Sequence, residues 1–277
     1  MTLSIFLVTF RNIITSYSKI HINEGKIGRF AKKPKFMKKI NWLKAIAGLL
    51  TILIFTMCNI NAQFGSKGSG NVIAQERNLP EFNGIESSGG IDVYITQNDT
   101  QKVVVETDDD LQKYVITKVE DGILKIYPDK WFMHFKKLKV HVSMKDLKKL
   151  SGSGGSDLFA EKPIITGNFE ISLSGGSDAN LYIKGIEISG SLSGGSDLYL
   201  KGAAGYLKIK ASGGSDCKAY ELTAAKADIS TSGGSDVYIT VEEELKASAS
   251  GGSNVKYKGN AKVINSESSG GSDIIKE

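Results

Sequence analysis

Cysteine and histidine are scarce, two and three among 277 residues. That leaves too few ligands for a Cys/His zinc site and no basis for a thiol protease or a zinc-finger nucleic-acid binder. Only four prolines occur, which excludes a collagen-like chain or a proline-rich spacer. Arginine is nearly missing, and past Asn71 only Arg77 remains. Surplus positive charge is also missing where it would matter. The formal net charge is +5, yet residues 1–62 hold ten Lys/Arg against one acid, Glu24, so the remainder carries 25 basic and 29 acidic residues, a net of −4. Nucleic acid, which needs a basic face on the folded part, is not an expected partner. What is plentiful is glycine, 31 residues, above the usual share of about 7%. Hydrophobic residues at 40% suffice for a core and argue against wholesale disorder.

The basic N-terminus has a layout of its own. Lys38, Lys39 and Lys44 precede an apolar run of 13 residues, Ala45 to Met57, and small Ala62 stands before Gln63. This is the order of a secretory signal peptide over 37–62. The run is short for a bilayer span, which needs about 20 residues, so a retained membrane anchor is the alternative. The bulky Met57 ahead of Cys58 argues against a lipidation cysteine. Residues 1–36 precede a second methionine, Met37, and read as a spurious or disordered extension. Residues 63–78 read as a linker. After cleavage Cys217 is the only cysteine, so no intramolecular disulfide forms. The expected location is outside the cytoplasm, in the periplasm or at the cell surface.

A repeat dominates the rest. SGGSD recurs with its last residue at Asp157, Asp178, Asp197, Asp216, Asp236 and Asp273, SGGSN ends at Asn254, and SGGID stands earlier at Ser88–Asp92. From Asp157 the steps are 21, 19, 19, 20, 18 and 19 residues. One place after each Asp or Asn sit Leu158, Ala179, Leu198, Cys217, Val237, Val255 and Ile274, and three places after sit Ala160, Leu181, Leu200, Ala219, Ile239 and Tyr257. Such alternation marks a strand with one buried face, and a second alternating stretch precedes each Ser-Gly-Gly. The expected fold is all-β: a parallel β-solenoid, or β-helix, of ~19-residue coils over 151–277, with strands of successive coils about 4.8 Å apart. Roughly five inward residues per coil, each worth about 1.5–3 kcal/mol when buried, hold the stack.

The glycine pairs are the expected corners: Gly89-Gly90, Gly154-Gly155, Gly175-Gly176, Gly194-Gly195, Gly213-Gly214, Gly233-Gly234, Gly251-Gly252 and Gly270-Gly271. Glycine reaches positive φ without strain and lets stacked backbones approach. The flanking Ser and Asp are suited to hydrogen-bond the corner amides. Residues 79–150 form a less regular β segment that caps the solenoid. Its expected strands are Ile91–Thr96, Val103–Glu106, Tyr114–Val119, Ile123–Tyr127 and Leu138–Ser143, with Asp121-Gly122 as a tight hairpin turn and one helical turn within Asp108–Lys113.

Three features invite a binding role. Stacked Asp157, Asp178, Asp197, Asp216, Asp236 and Asp273 would repel by about 0.9 kcal/mol per neighbour in water, and calcium between layers would relieve this. The opposing reading is a structural turn, because Asn254 interrupts the series and the spacing differs from that of calcium β-rolls. Outward Tyr94, Phe159, Tyr199 and Tyr238 form an aromatic stripe for sugar or protein, or else pack across strands, with Asn180, Lys218 and Lys256 interrupting it. His134 and His141 lie in a basic stretch, Lys130 to Lys149, and read as surface residues. No cofactor is expected, and Cys217 reads as a small inward hydrophobe.

Phe82-Asn-Gly-Ile85, Ser88-Gly-Gly-Ile-Asp-Val-Tyr-Ile-Thr96, Gly122-Ile-Leu-Lys-Ile-Tyr-Pro128 and the serial SGGSD turns together resemble the "putative autotransporter adhesin, head GIN domain" family of bacteria related to Bacteroides. The resemblance spans about 79–277 and implies a β-helical exported protein without an established biochemical activity. The repeats run to the last residue, so no β-barrel translocator is expected after them. The expected function is non-catalytic: an envelope or surface protein, adhesin-like or structural, working through the solenoid face on an unidentified macromolecule such as a glycan or an envelope protein. Membrane contact is expected only through the N-terminal signal or anchor. A calcium-stabilised stalk and a polysaccharide-active β-helix enzyme are the alternatives. Against the enzyme, the acids recur identically in every coil and no arginine lies within the repeats.

Overall fold

The computed structural model describes residues 66–130 and 133–277. The extension at 1–36, the signal or anchor at 37–62 with Cys58, and the first linker residues lie outside the described residues. Ala62–Glu277 is a compact unit, and none of its described helices is long and apolar enough to cross a membrane. The fold is an all-β solenoid of about seven turns at ~19-residue spacing.

Five long strands each make one coil: Leu158–Ser174, Ala179–Leu192, Asp197–Ala211, Asp216–Gly233 and Asp236–Gly251. They pair in parallel, each with the next, and Asn254–Lys258, Lys262–Gly270 and Asp273–Lys276 continue the ladder. The register joins the positions that follow each corner. Leu158 pairs with Ala179, Ala179 with Leu198, Leu198 with Cys217, Cys217 with Val237 and Val237 with Val255. All six are buried, as are Ala160, Leu181, Leu200, Ala219, Ile239 and Tyr257. The period-two pattern therefore builds one apolar column.

The stack does not begin at 151. Gly84–Ser88 pairs in parallel with Lys149–Ser153, and Val93 and Tyr94 of the strand Asp92–Gln97 pair with Leu158 and Phe159. The Ser88-Gly89-Gly90 corner is thus the first bend of the same column, and part of the segment expected as a cap is itself coil. The layering then changes to antiparallel. Ile123–Pro128 turns back on Val115–Glu120 through Asp121-Gly122, both at positive φ (52° and 72°), as a two-residue hairpin demands. On the other side Val72–Arg77, Lys102–Asp108 and Leu138–Met144 pair antiparallel. The one helical turn falls at Gln112–Tyr114, slightly later than expected.

The corners are of two kinds. The first glycine of all eight pairs has φ between 63° and 81°. Each from Gly154 onward lies against the backbone of the glycine one coil back; a Cβ on Gly233 would stand 2.8 Å from the Gly213 carbonyl oxygen. The second glycine differs. Gly90, Gly155, Gly176 and Gly195 have positive φ, but Gly214, Gly234, Gly252 and Gly271 do not. In the last three corners its N–H donates across the layers, as from Gly234 to the Gly213 carbonyl at 2.7 Å. The second serine of each SGGSD or SGGSN motif is buried, and from Ser196 onward it closes the bend: Ser215 Oγ donates to the Ser212 carbonyl at 2.6 Å and Ser272 to Ser269 at 2.7 Å.

Candidate functional site

The aspartates after the corners are built into the ladder. The Asp197 N–H donates to Asp178 Oδ1 at 3.0 Å, Asp236 N–H to Asp216 Oδ1 at 3.2 Å, and Asn254 N–H to Asp236 Oδ1 at 3.0 Å. Asn254 continues the series, its Oδ1 accepting from the Asp273 N–H at 3.2 Å, and its amide also donates to Asp236 at 2.9 Å. The side-chain oxygens of Asp178, Asp216, Asp236 and Asn254 thus each cap a backbone N–H one coil on, whereas the Asp216 N–H donates to the Ser196 carbonyl at 3.2 Å. Burial raises the pKa of Asp157, helped by nearby Asp92, and burial likewise raises that of Asp92. Among the described residues no three His, Cys, Asp or Glu side chains gather as a metal would require.

The second carboxylate oxygen often faces the aromatic column. The Tyr199 hydroxyl lies 3.3 Å from Asp197 Oδ2 and the Tyr238 hydroxyl 3.4 Å from Asp236 Oδ2. Asp and Tyr two residues apart share one face of a strand, so the corner motif braces the rings.

The stripe residues fall into one row. Tyr94 pairs with Phe159, Phe159 with Asn180, Asn180 with Tyr199, Tyr199 with Lys218, and Lys218 with Tyr238. At its N-terminal end three rings stack. Tyr94 lies 5.3 Å from His141 and 4.9 Å from Phe159, with interplanar angles of 25° and 21°. His141 also approaches Glu106 at 3.5 Å, and Lys137 lies 2.7 Å from the same carboxylate. These bonds, with that to Lys137 dominant, hold the Glu106 pKa below the usual range. The side chain of His134 lies outside the described residues.

Lys218 and Lys256, which interrupt the aromatic series in sequence, belong to the row in space, and Lys139 flanks it. Lys139 Nζ sits 4.4 Å from the Tyr94 ring centre, Lys218 4.8 Å from Tyr199, and Lys256 5.8 Å from Tyr238. Such cation–π contacts are worth about 0.5–1 kcal/mol at exposed sites. Lys218 also donates to the Tyr199 hydroxyl at 3.0 Å and to Asp197 at 3.2 Å, which holds its ammonium well above the ordinary range.

A second row was not foreseen from sequence. The Asp216 coil is 20 residues long, and its register against the coil before shifts between Tyr199 and Lys201. The extra residue leaves Tyr220 and Glu221 both facing outward while Ala219 and Leu222 stay buried. Tyr220 meets Tyr238 edge-on at 5.6 Å, carries Lys258 4.2 Å from its ring centre, and donates to Glu277 at 2.8 Å. Burial, then Glu277, raises the Tyr220 pKa. Between the two rows runs a groove of about 500 Å³ bordered by Asn180, Tyr199, Lys201, Tyr220, Glu221 and Tyr238. The even coil spacing marks the extra residue in the sequence, but not where it bulges.

The family described as "Putative auto-transporter adhesin, head GIN domain" matches residues 81–261. The chain belongs to this family. Among solved structures it is similar to a putative adhesin from Bacteroides fragilis NCTC 9343, at 24% identity and TM-score 0.72, covering 76% of this chain and 99% of that one. A putative lipid binding protein from Parabacteroides distasonis ATCC 8503 matches at 21% identity and TM-score 0.62, over 76% and 100%. A putative adhesin from Parabacteroides merdae ATCC 43184 matches at 21% and 0.61, over 76% and 99%. At these identities the likeness is one of fold. No curated protein matches. The site geometry places these head GIN residues on one solenoid face, made of braced tyrosines, lysines and acids.

Proposed function

We propose that this head GIN protein is an exported, non-catalytic binding protein that holds an external macromolecule on its aromatic–lysine face. The observation that carries the reading is the row itself: aromatic residues and lysines follow one another in register from His141 to Lys256, with Asn180 as the one break. A row repeated coil after coil suits an extended partner better than a single small substrate. The family's adhesin description points the same way. Catalysis needs one unique acid–base pair, whereas the acids here recur at every corner but that of Asn254, and Asp178, Asp197, Asp216 and Asp236 are engaged with backbone N–H groups or tyrosine hydroxyls. The N-terminal signal pattern at 37–62 supports export.

The test is capture of envelope glycan and envelope protein fractions by immobilised protein, comparing two faces. Tyr199→Ala with Tyr238→Ala should abolish capture. Ser172→Ala with Ser191→Ala, on the serine-rich face that borders a separate groove, should leave it unchanged. Capture indifferent to the tyrosine pair would refute the reading.

A further inference from the structure

The groove between the two rows has a composition that selects among ligands. Its borders offer three tyrosines, the Asn180 amide, Glu221 and two lysines. The lysines do not make it a cationic site. Lys218 is engaged by Asp197 at 3.2 Å and Asp216 at 3.8 Å. Lys201 pairs in register with Glu221 one coil on, so the two charges at the groove wall oppose each other. A phosphate or a polyuronate would find no surplus positive charge here. A neutral sugar would find what it needs: aromatic surface for the apolar face of a pyranose, and amide, carboxylate and ammonium groups for its hydroxyls.

The spacing adds a second, independent indication. Phe159, Tyr199 and Tyr238 stand in one row with one non-aromatic residue, Asn180 or Lys218, between each pair. The rings therefore recur every second coil, about 9.6 Å apart from a strand spacing of about 4.8 Å. That is close to the length of two sugar rings in an extended chain. The groove runs across four coils, from Asn180 to Tyr238, and its volume lies within the usual range for ligand sites, about 300–1,000 Å³.

We propose that this groove binds an extended chain of neutral pyranose sugars lying along the solenoid axis, one disaccharide for every two coils. Tyr199 and Tyr238 are the stacking rings of the first row. Tyr220, thrown outward by the extra residue of its coil, meets Tyr238 edge-on at 5.6 Å and closes the groove at that end as one aromatic wall. Asn180 keeps the entrance low because it is the shortest outward side chain in the row between Phe159 and Tyr238. The inference rests on the functional reading above and assigns it a ligand class.

The experiment is affinity electrophoresis of the purified protein through gels containing a soluble neutral β-glucan or polygalacturonate, followed by titration with β-1,4-linked glucose oligomers of two to six units. Retardation by the neutral glucan and not by polygalacturonate is expected, with affinity rising up to about four units. Tyr199→Ala and Tyr220→Ala should each weaken binding at least tenfold while lowering the melting temperature by only a few degrees, the loss of one hydrogen bond and one cation–π contact, and Tyr199→Phe, which keeps the ring, should retain most of the binding. The proposal is overturned if no neutral glucan retards the protein, if polygalacturonate binds equally well, or if the alanine variants bind like the parent. Polygalacturonate binding that needs the same tyrosines would overturn the sugar class while leaving the binding face intact. Indifference of every ligand and every fraction to the tyrosines would remove both.

Discussion

The corner glycines make a graded prediction, because the structure puts three different demands on residues the sequence writes alike. Gly233 has φ 78°, and a Cβ there would stand 2.8 Å from the Gly213 carbonyl oxygen and 3.1 Å from its nitrogen. An alanine at 233 would bear about 1–2 kcal/mol for the left-handed backbone. It would bear about 1–3 kcal/mol more for crowding a neighbour that is backbone and held in register. Gly195 shares the positive φ, 83°, but nothing lies within 4 Å of its would-be Cβ. Alanine there costs only the backbone part, about 1–2 kcal/mol. Gly234 has no positive φ, and its Cβ would meet the Gly213 oxygen at an ordinary 3.6 Å. Alanine at 234 should be neutral or stabilise by about 0.4–1 kcal/mol through the unfolded chain.

Thermal melting of Gly233→Ala, Gly195→Ala and Gly234→Ala should follow that order. At about 2–4 °C per kcal/mol for a unit of this size, Gly233→Ala should fall by about 4–20 °C and Gly195→Ala by about 2–8 °C. Gly234→Ala should not fall. Amide exchange gives a local check, since stacked coils open next to a damaged layer before the whole unit unfolds. The Gly252 N–H, bonded to the Gly233 carbonyl at 2.7 Å, should lose protection in Gly233→Ala and keep it in Gly195→Ala. Equal losses at 233 and 234 would refute the claim that the first glycine alone is fixed by layer-to-layer contact.

Burial pushes the Cys217 thiol up to about 12, with Asp216 adding to it. Native protein at pH 8 should therefore resist iodoacetamide at Cys217 by peptide mass spectrometry, and labelling should appear only with unfolding; ready native labelling would show that the coil interior is open. Lys118 and Lys125 hold the Glu120 pKa down to about 2 from its ordinary 4.5. A depressed carboxylate contributes stability that is complete above the unfolded value and is lost as pH falls through the folded one. The hairpin should thus weaken between about 4.5 and about 2, and carboxyl NMR should place Glu120 near 2 in the parent and clearly higher in Lys118→Met; an ordinary value in the parent would contradict the pairing. Chelator and millimolar calcium should both leave the melting temperature where it is, because Asp178, Asp216 and Asp236 already accept N–H groups from the next coil and Asp197 is engaged by Lys218; a calcium-dependent rise of several degrees would restore the ion reading.

The inward columns were legible because a strand with one wet face must alternate, as the three residues opening at each of Leu198, Cys217 and Val237 do. The corners were legible as a column because their spacing is nearly constant. The two kinds of corner were not. Gly195 and Gly234 occupy the same place in the same pentapeptide, and what separates them is whether the second N–H reaches back to the preceding layer. The start of the stack at Gly84 was hidden because the excursion from 98 to 148 interrupts the period, although Ser88-Gly89-Gly90 already carried the motif. At the site, sequence showed Tyr94, Phe159, Tyr199 and Tyr238 but read Lys218 and Lys256 as breaks. The partner of each ring lies about one coil further along the chain, so only the inter-coil register turns a lysine into a ring's neighbour.

The same reasoning explains why a nearly uniform repeat can carry one distinct site. Identical coils give identical faces, and a ligand would find no preferred height on such a column. The Asp157 coil is two residues longer than 19 and the Asp236 coil one shorter; the Asp216 coil carries one extra residue, and the ladder absorbs it where Ala219 and Leu222 can both stay buried. The residue left over must face water, and it is a tyrosine. Burial of two aliphatic anchors thus fixes where the bulge falls, and the bulge fixes where Tyr220 projects. At the C-terminal end Glu277 completes the arrangement by accepting from Tyr220 and lying 3.6 Å from Lys256, so a terminal side chain orients a ring three coils away. Variation in coil length sets the local identity of the face, while the SGGSD corner keeps the layers in step.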